Sequence, residues 1–246
     1  MSSDISILYE DESLFVINKP SGIVVNDCDS QIGNETVQSW VRETYPNLFD
    51  KSITNDFNSR NGIVHRLDKQ TSGVLIIAKN AESYLYLTGL FSERLVYKEY
   101  VGVVYGSDEF FKPGDKIVVD APIARNPKDR MKFALVEGGK DAKTEINVLD
   151  SLEYKGETLS IVKCFPKTGR THQIRVHLTA LGHPIVGDEL YSGRKRYKRN
   201  EENFKRQFLH ARKISFILPD TDERVEIEAP IPKDMGIVLD LAKSYK

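Results

Sequence analysis

Short apolar runs broken by turn residues open the chain. Ile5 to Tyr9, Leu14 to Asn18 and Ile23 to Val25 read as strands, the last two separated by the Lys19-Pro20-Ser21-Gly22 turn. The pattern then changes period. In residues 35–44 Val37, Trp40 and Val41 fall on one helical face, and Pro46 ends the run. Residues 47–60 carry no periodicity and read as a loop, after which Val74-Leu75-Ile76-Ile77-Ala78 is continuous enough for a fully buried strand. A helix follows from Ala81 to Arg94, with Tyr84, Leu87 and Phe91 on one stripe. Tyr97 to Tyr105, Lys143 to Leu149 and Thr158 to Phe165 alternate as strands. Residues 171–181 return to helical spacing through Ile174, Leu178 and Leu181, with Gly182 as the stop. The polar stretch 192–207 reads as a surface excursion, and Phe208 to Leu218 and Arg224 to Ala229 as two closing strands. With no internal repeat and no linker, the expectation is one α+β domain over residues 1–246, built on a large mixed, mostly antiparallel sheet flanked by helices and loops.

Composition changes this picture little, and charge changes it more. The chain is 40% hydrophobic and 29% charged, ordinary for a globular protein with a core. No apolar run approaches a membrane span, and Asp4, Glu10, Asp11 and Glu12 are unlike a leader peptide, so a cytoplasmic protein with no membrane partner is expected. Cys28 and Cys164 are isolated, as expected of reduced thiols. The net charge of −1 hides an asymmetry: residues 160–213 hold 13 Lys and Arg against 4 Asp and Glu. Tyr191, Tyr197 and Phe204 are interleaved with those bases, which favours a polyanion contact over a merely solvated loop.

Four clusters carry candidate chemistry. His65-Arg66-Leu67-Asp68-Lys69-Gln70-Thr71-Ser72-Gly73 delivers one carboxylate, Asp68, on a loop between buried segments, where it is costly without a partner. A kinase catalytic loop is excluded: Leu67 separates Arg66 from Asp68, and neither the required Asn nor a glycine-rich phosphate loop is present. Tyr100, in Lys98-Glu99-Tyr100, is on its own residues a core or cross-strand tyrosine. In Gly169-Arg170-Thr171-His172-Gln173-Ile174-Arg175-Val176-His177 the two histidines are five apart with no acidic ligand nearby, which argues against a metal site. Arg175 lies off the apolar stripe, where it can reach a carboxylate. Gly182 to Asp188 reads as a turn that shapes a helix end.

Together these blocks resemble one family, the RluA-type pseudouridine synthases, without the S4-type RNA-binding module that precedes the catalytic domain in some relatives. His65 to Lys79 is similar to the family's signature around its catalytic aspartate, Lys98-Glu99-Tyr100 to its Lys-x-Tyr strand, and Gly169 to Tyr191 to its third block. Asp120 to Ile123, Leu209-His210-Ala211 and Ala229-Pro230 extend the resemblance to nearly the whole chain. The resemblance implies an isomerase that cuts the C1′–N1 bond of uridine, turns the uracil and rejoins it through C5, with no cofactor and no metal. Asp68 then acts as nucleophile or as base at the 2′-proton; both routes stay open. It further implies that Arg175 compensates the Asp68 charge and that Tyr100 stacks on the extruded uracil and helps remove the C5 proton. Ile174 and Leu75 are candidates for pocket walls or for plain core. Arg66, Arg170, His172, Arg194, Lys195, Arg196, Lys198 and Arg199 are the expected RNA contacts. The implied partner is ribosomal or transfer RNA, with no obligate protein partner. The rival reading is a non-catalytic RNA-binding protein or RNA chaperone on the same fold; a glycosidase would want a second acid that these motifs lack.

Overall fold

The computed structural model describes residues 5–27, 35–49 and 55–242. Cys28 lies outside them, while Cys164 is a buried free thiol. In chain order come strands β1 (Ser6–Glu10) and β2 (Leu14–Lys19), helices α1 (Val37–Thr44) and α2 (Asp56–Ser59), β3 (Ser72–Ala78), α3 (Ala81–Ser92) and β4 (Tyr97–Tyr105). Then follow β5 (Lys116–Asp120), β6 (Ile123–Arg125), β7 (Phe133–Leu135), β8 (Lys143–Tyr154) and β9 (Glu157–Pro166). The chain ends with α4 (Gln173–Ala180), α5 (Arg194–Asn200), β10 (Leu209–Ile217), β11 (Arg224–Glu228) and α6 (Lys233–Leu239). None of the described helices is long and apolar enough to cross a membrane. These elements gather into two compact units, residues 1–97 with 211–230 and residues 98–210 with 231–246.

The first unit is ordered β1-β2-β3-β10, with β11 paired antiparallel to β10 from Lys213↔Glu228 to Ile217↔Arg224. β2 and β3 run antiparallel from Leu14↔Ala78 to Lys19↔Gly73. Leu14 to Ile17 and Leu75 to Ala78 are completely buried, so both faces are covered and the runs are continuous rather than alternating. α1 begins at a reciprocal cap between Thr36 and Ser39. Phe15 beneath it stacks on Tyr45 at 4.5 Å and meets Trp40 edge-on. Asn80 caps α3, which packs on β3. Gly73, at φ +116°, admits no side chain, because a Cβ there would lie 2.2 Å from the Ala211 carbonyl oxygen. The expected strand Ile23 to Val25 shrinks to a single bridge, Val24 with Thr36.

In the second unit β4-β9-β8-β5 form successive antiparallel ladders. β8 and β9 turn through Lys155-Gly156, both at positive φ, the two-residue hairpin geometry that matches strand twist. One face packs Val104, Ile146, Val162 and Cys164 against Ile174 and Leu178 of α4. The other packs Val101, Val103, Leu159 and Ile161 against Phe204, Phe208 and Met235, Val238 and Leu239 of α6.

Helix α2 falls in the stretch 47–60 that reads as a loop, and three further features depart from the sequence expectation. β5 alternates Ile117 and Val119 inward with Val118 outward, too short a pattern to stand out. β6 and β7 form a separate two-stranded hairpin. The stretch 192–207 is no mere surface excursion: it contains α5, and Asn200, Phe204, Arg206 and Gln207 are buried.

Candidate active site

The loop that carries Asp68 is pinned on every side within the first unit. Ahead of it, Ile63 bridges Ile77 of β3. The His65 ring stacks on Phe91 of α3 at 4.5 Å, and its Nε2 accepts the Ile76 amide at 3.0 Å. Leu67 is buried, and the Thr71 amide donates to the Asp68 carbonyl at 3.0 Å, closing the turn. Asp68 itself is half-buried and Arg66 is exposed. Beneath the turn sits Lys19, fully buried at the end of β2. Its ammonium donates to the carbonyls of Pro20 (2.8 Å), Ile23 (2.9 Å) and Lys69 (3.2 Å). The Gly22 amide donates to Lys69 as well. A buried ammonium is tolerable only when hydrogen-bonded, and here three backbone oxygens replace water. Lys19 was legible only as part of a turn; a lysine that closes an apolar strand before Pro-Ser-Gly was the available signal. Leu75, fully buried and opposite Ile17 in the β2–β3 ladder, belongs to the core and not to a pocket wall.

In the second unit Tyr100 stands on β4 opposite Cys164, half-buried against the cluster that contains Ile174 and Leu178. Tyr100 and α4 therefore share one face of this sheet. The start of α4 is fixed by Gln173, whose Oε1 accepts the Arg170 amide and the Thr168 hydroxyl while its Nε2 donates to the Lys143 carbonyl and the Thr144 hydroxyl. Arg175, two residues on, is 6% exposed. Its Nε and Nη2 donate to the two oxygens of Asp188 at 2.7 and 2.9 Å, a bidentate pair in which Asp188 is 1% exposed. Asp188 also accepts the amides of Leu190 and Tyr191. The guanidinium carbon lies 4.9 Å from the centre of the Tyr191 ring. The Tyr191 hydroxyl accepts the Phe133 amide and is 2.9 Å from His172 Nδ1, which joins β7 and the head of α4 to the arginine. In sequence Asp188 reads as part of a turn; thirteen residues beyond Arg175, it carries no local signal as an ion-pair partner.

The expected RNA contacts divide. Arg170 is half-buried, with Nε on the Asp141 carbonyl. Arg199 and Arg196 are drawn to Glu157, with Arg196 stacked over Tyr105. Burial pulls the Glu157 carboxyl upward, but hydrogen bonds from Asn200 and Arg199 outweigh it and hold the group below its ordinary range. Arg194, Lys195 and Lys198 remain exposed, and a shallow basin of about 520 Å³ opens between Ser192, Gly193, Arg194, Lys195, Arg196 and Arg199.

Likeness to known proteins sets the class: an enzyme of RNA modification. Residues 13–180 match the RNA pseudouridylate synthase family, and the chain belongs to it; its members are isomerases. The chain is 37% identical to "Uncharacterized RNA pseudouridine synthase YlyB" of Bacillus subtilis, over 96% of this chain and 72% of that protein. It is 36% identical to "Ribosomal large subunit pseudouridine synthase D" of Xanthomonas campestris, over 94% and 67%. Among solved structures, "Human RNA Pseudouridylate Synthase Domain Containing 1" is 29% identical over 93% of this chain and 84% of its own, with a TM-score of 0.72.

Proposed function

We propose that this enzyme converts specific uridines of large-subunit ribosomal RNA to pseudouridine, with Asp68 as the carboxylate that opens the glycosidic bond. The observation that carries this reading is the pinned His65–Gly73 loop within a chain 36% identical to a ribosomal large subunit synthase. In the reaction the C1′–N1 bond breaks, the uracil turns, C1′ bonds to C5, the C5 proton leaves and N1 takes one up. The target nucleotide leaves its stack first, at a cost of about a few kcal/mol met by phosphate contacts. Tyr100 stacks on the extruded uracil and its hydroxyl relays the C5 proton; Arg175, oriented by Asp188, supplies the positive charge that an acidic centre needs. Arg66, Arg170, His172 and the exposed bases of α5 hold the backbone on either side, and residues 1–246 work as one catalytic domain in the cytoplasm. That the family match runs from residue 13 to 180, across both compact units, supports this.

The test is mass-spectrometric mapping of pseudouridine in ribosomal and transfer RNA from cells with and without the gene, complemented by wild type or Asp68→Asn. A ribosomal site that vanishes and returns only with wild type is expected. A transfer-RNA site would move the substrate, and rescue by Asp68→Asn would overturn the assignment of Asp68.

A further inference from the structure

We propose that Lys98 is a further substrate-contacting residue, its ammonium meeting a phosphodiester oxygen of the bound RNA beside Tyr100. The inference rests on the reading of Tyr100 under Proposed function. Residues two apart on a strand share a face about 7 Å from each other, so Lys98 stands on the Tyr100 side of β4. Glu99, the acid next to it in sequence, points to the opposite face, is 7% exposed and is taken by Lys163 at 3.0 Å. Lys167 is held by Glu145 at 2.9 Å, and its charge repels Lys98. Lys98 itself makes no hydrogen bond or ion pair among the described residues, although it is only partly exposed. Burial first, and the Lys167 charge second, bring its pKa down from 10.5 to about 8.

A cation held out of water with no counter-charge raises the free energy of the empty protein, and an arriving anion lowers it. A compact ammonium on a flexible stem suits a phosphate oxygen as a point charge, whereas the neutral carbonyls of uracil would recover less of the lost hydration. The competing account is that the aliphatic stem merely packs along the strand while the head reaches for water. In that case the charge has no ligand.

The experiment compares wild type, Lys98→Met and Lys98→Arg as full chains. Filter binding to an in vitro transcript of large-subunit ribosomal RNA is measured across a potassium chloride series, with melting temperature and pseudouridine yield from the same preparations. Lys98→Met is expected to bind about tenfold more weakly and to flatten the plot of log affinity against log salt by about one unit, without a fall in melting temperature. Lys98→Arg is expected to restore the slope. Unchanged affinity and slope in Lys98→Met would overturn the proposal, and so would a melting-temperature loss that arginine does not rescue. Wild type that binds the transcript but forms no pseudouridine would sink the enzymatic reading while the salt slope still decides whether Lys98 meets phosphate.

Discussion

Replacing Asp188 by asparagine is the sharpest test of how the arginine of this site is held. Both side chains of the Arg175–Asp188 pair are almost fully enclosed, at 7% and 0% exposed. Asparagine keeps an oxygen for the amides of Leu190 and Tyr191, so the backbone turn at 188–191 retains its acceptor. What changes is the charge: the guanidinium loses its bidentate partner, and one of its N–H groups now faces another donor. Breaking a buried pair from one side costs about 3 to 5 kcal/mol, because the surviving guanidinium loses its bidentate counter-charge. At roughly 2 to 4 °C per kcal/mol for a protein of this size, the melting temperature should fall by about 6 to 20 °C. Circular dichroism melts of wild type, Asp188→Asn, Arg175→Met and the double variant close a mutant cycle. The double variant should be more stable than the sum of the single losses, since it also removes the guanidinium whose bidentate carboxylate is gone. A melting temperature for Asp188→Asn within about 2 °C of wild type, or strictly additive losses, would refute the reasoning. Below the melting range the same variant should lose turnover more than RNA affinity, because Arg175 is misplaced while the phosphate contacts remain.

The other predictions follow from single side chains. Lys98 has a folded-state pKa lowered from 10.5 to about 8, so its cost is fully present below pH 8, where both states are charged. Between those values the unfolded chain binds more protons and stability rises with pH. Relative to Lys98→Met, wild type should therefore gain about 1 to 2 kcal/mol from neutral pH to about pH 10 after allowance for partial exposure, and a constant difference in urea unfolding would contradict this. Lys19→Met should destabilise by about 1 to 3 kcal/mol by removing the donor shared by three backbone carbonyls, with faster hydrogen exchange at the Gly22 and Thr71 amides; protection equal to wild type would show that the loop holds itself. Neutralising Arg194, Lys195 and Lys198 should flatten the salt dependence of RNA binding by about 2 to 3 units. Neutralising Arg196 and Arg199 should instead lower the melting temperature, because Glu157 keeps its hydrogen bond from Asn200 but loses both counter-charges. An equal effect of the two sets on the salt slope would show that the ion pairs with Glu157 do not persist in solution.

The sequence by itself determined what periodicity and short motifs encode. β2 and β3 were legible because residues buried on both faces write an unbroken apolar run, and α4 because a helix against a sheet writes a stripe through Ile174 and Leu178. The aspartate loop, the tyrosine strand and Arg175 were legible through their resemblance to one family, in the local order of side chains. Tertiary structure decided what depends on partners distant along the chain. Asp188 became the counter-ion of Arg175 because the end of α4 turns back on itself, and Lys19 became the pin of a loop fifty residues away. α5 has no apolar stripe to announce it; it is held through Asn200, Arg196 and Arg199 by a glutamate on another element. The same contact ties two of its bases to Glu157 and leaves three without that anion. Hydrogen bonds and ion pairs of this kind leave no periodic trace, because their geometry is satisfied by whichever residue the fold brings near, and only the folded chain says which one that is.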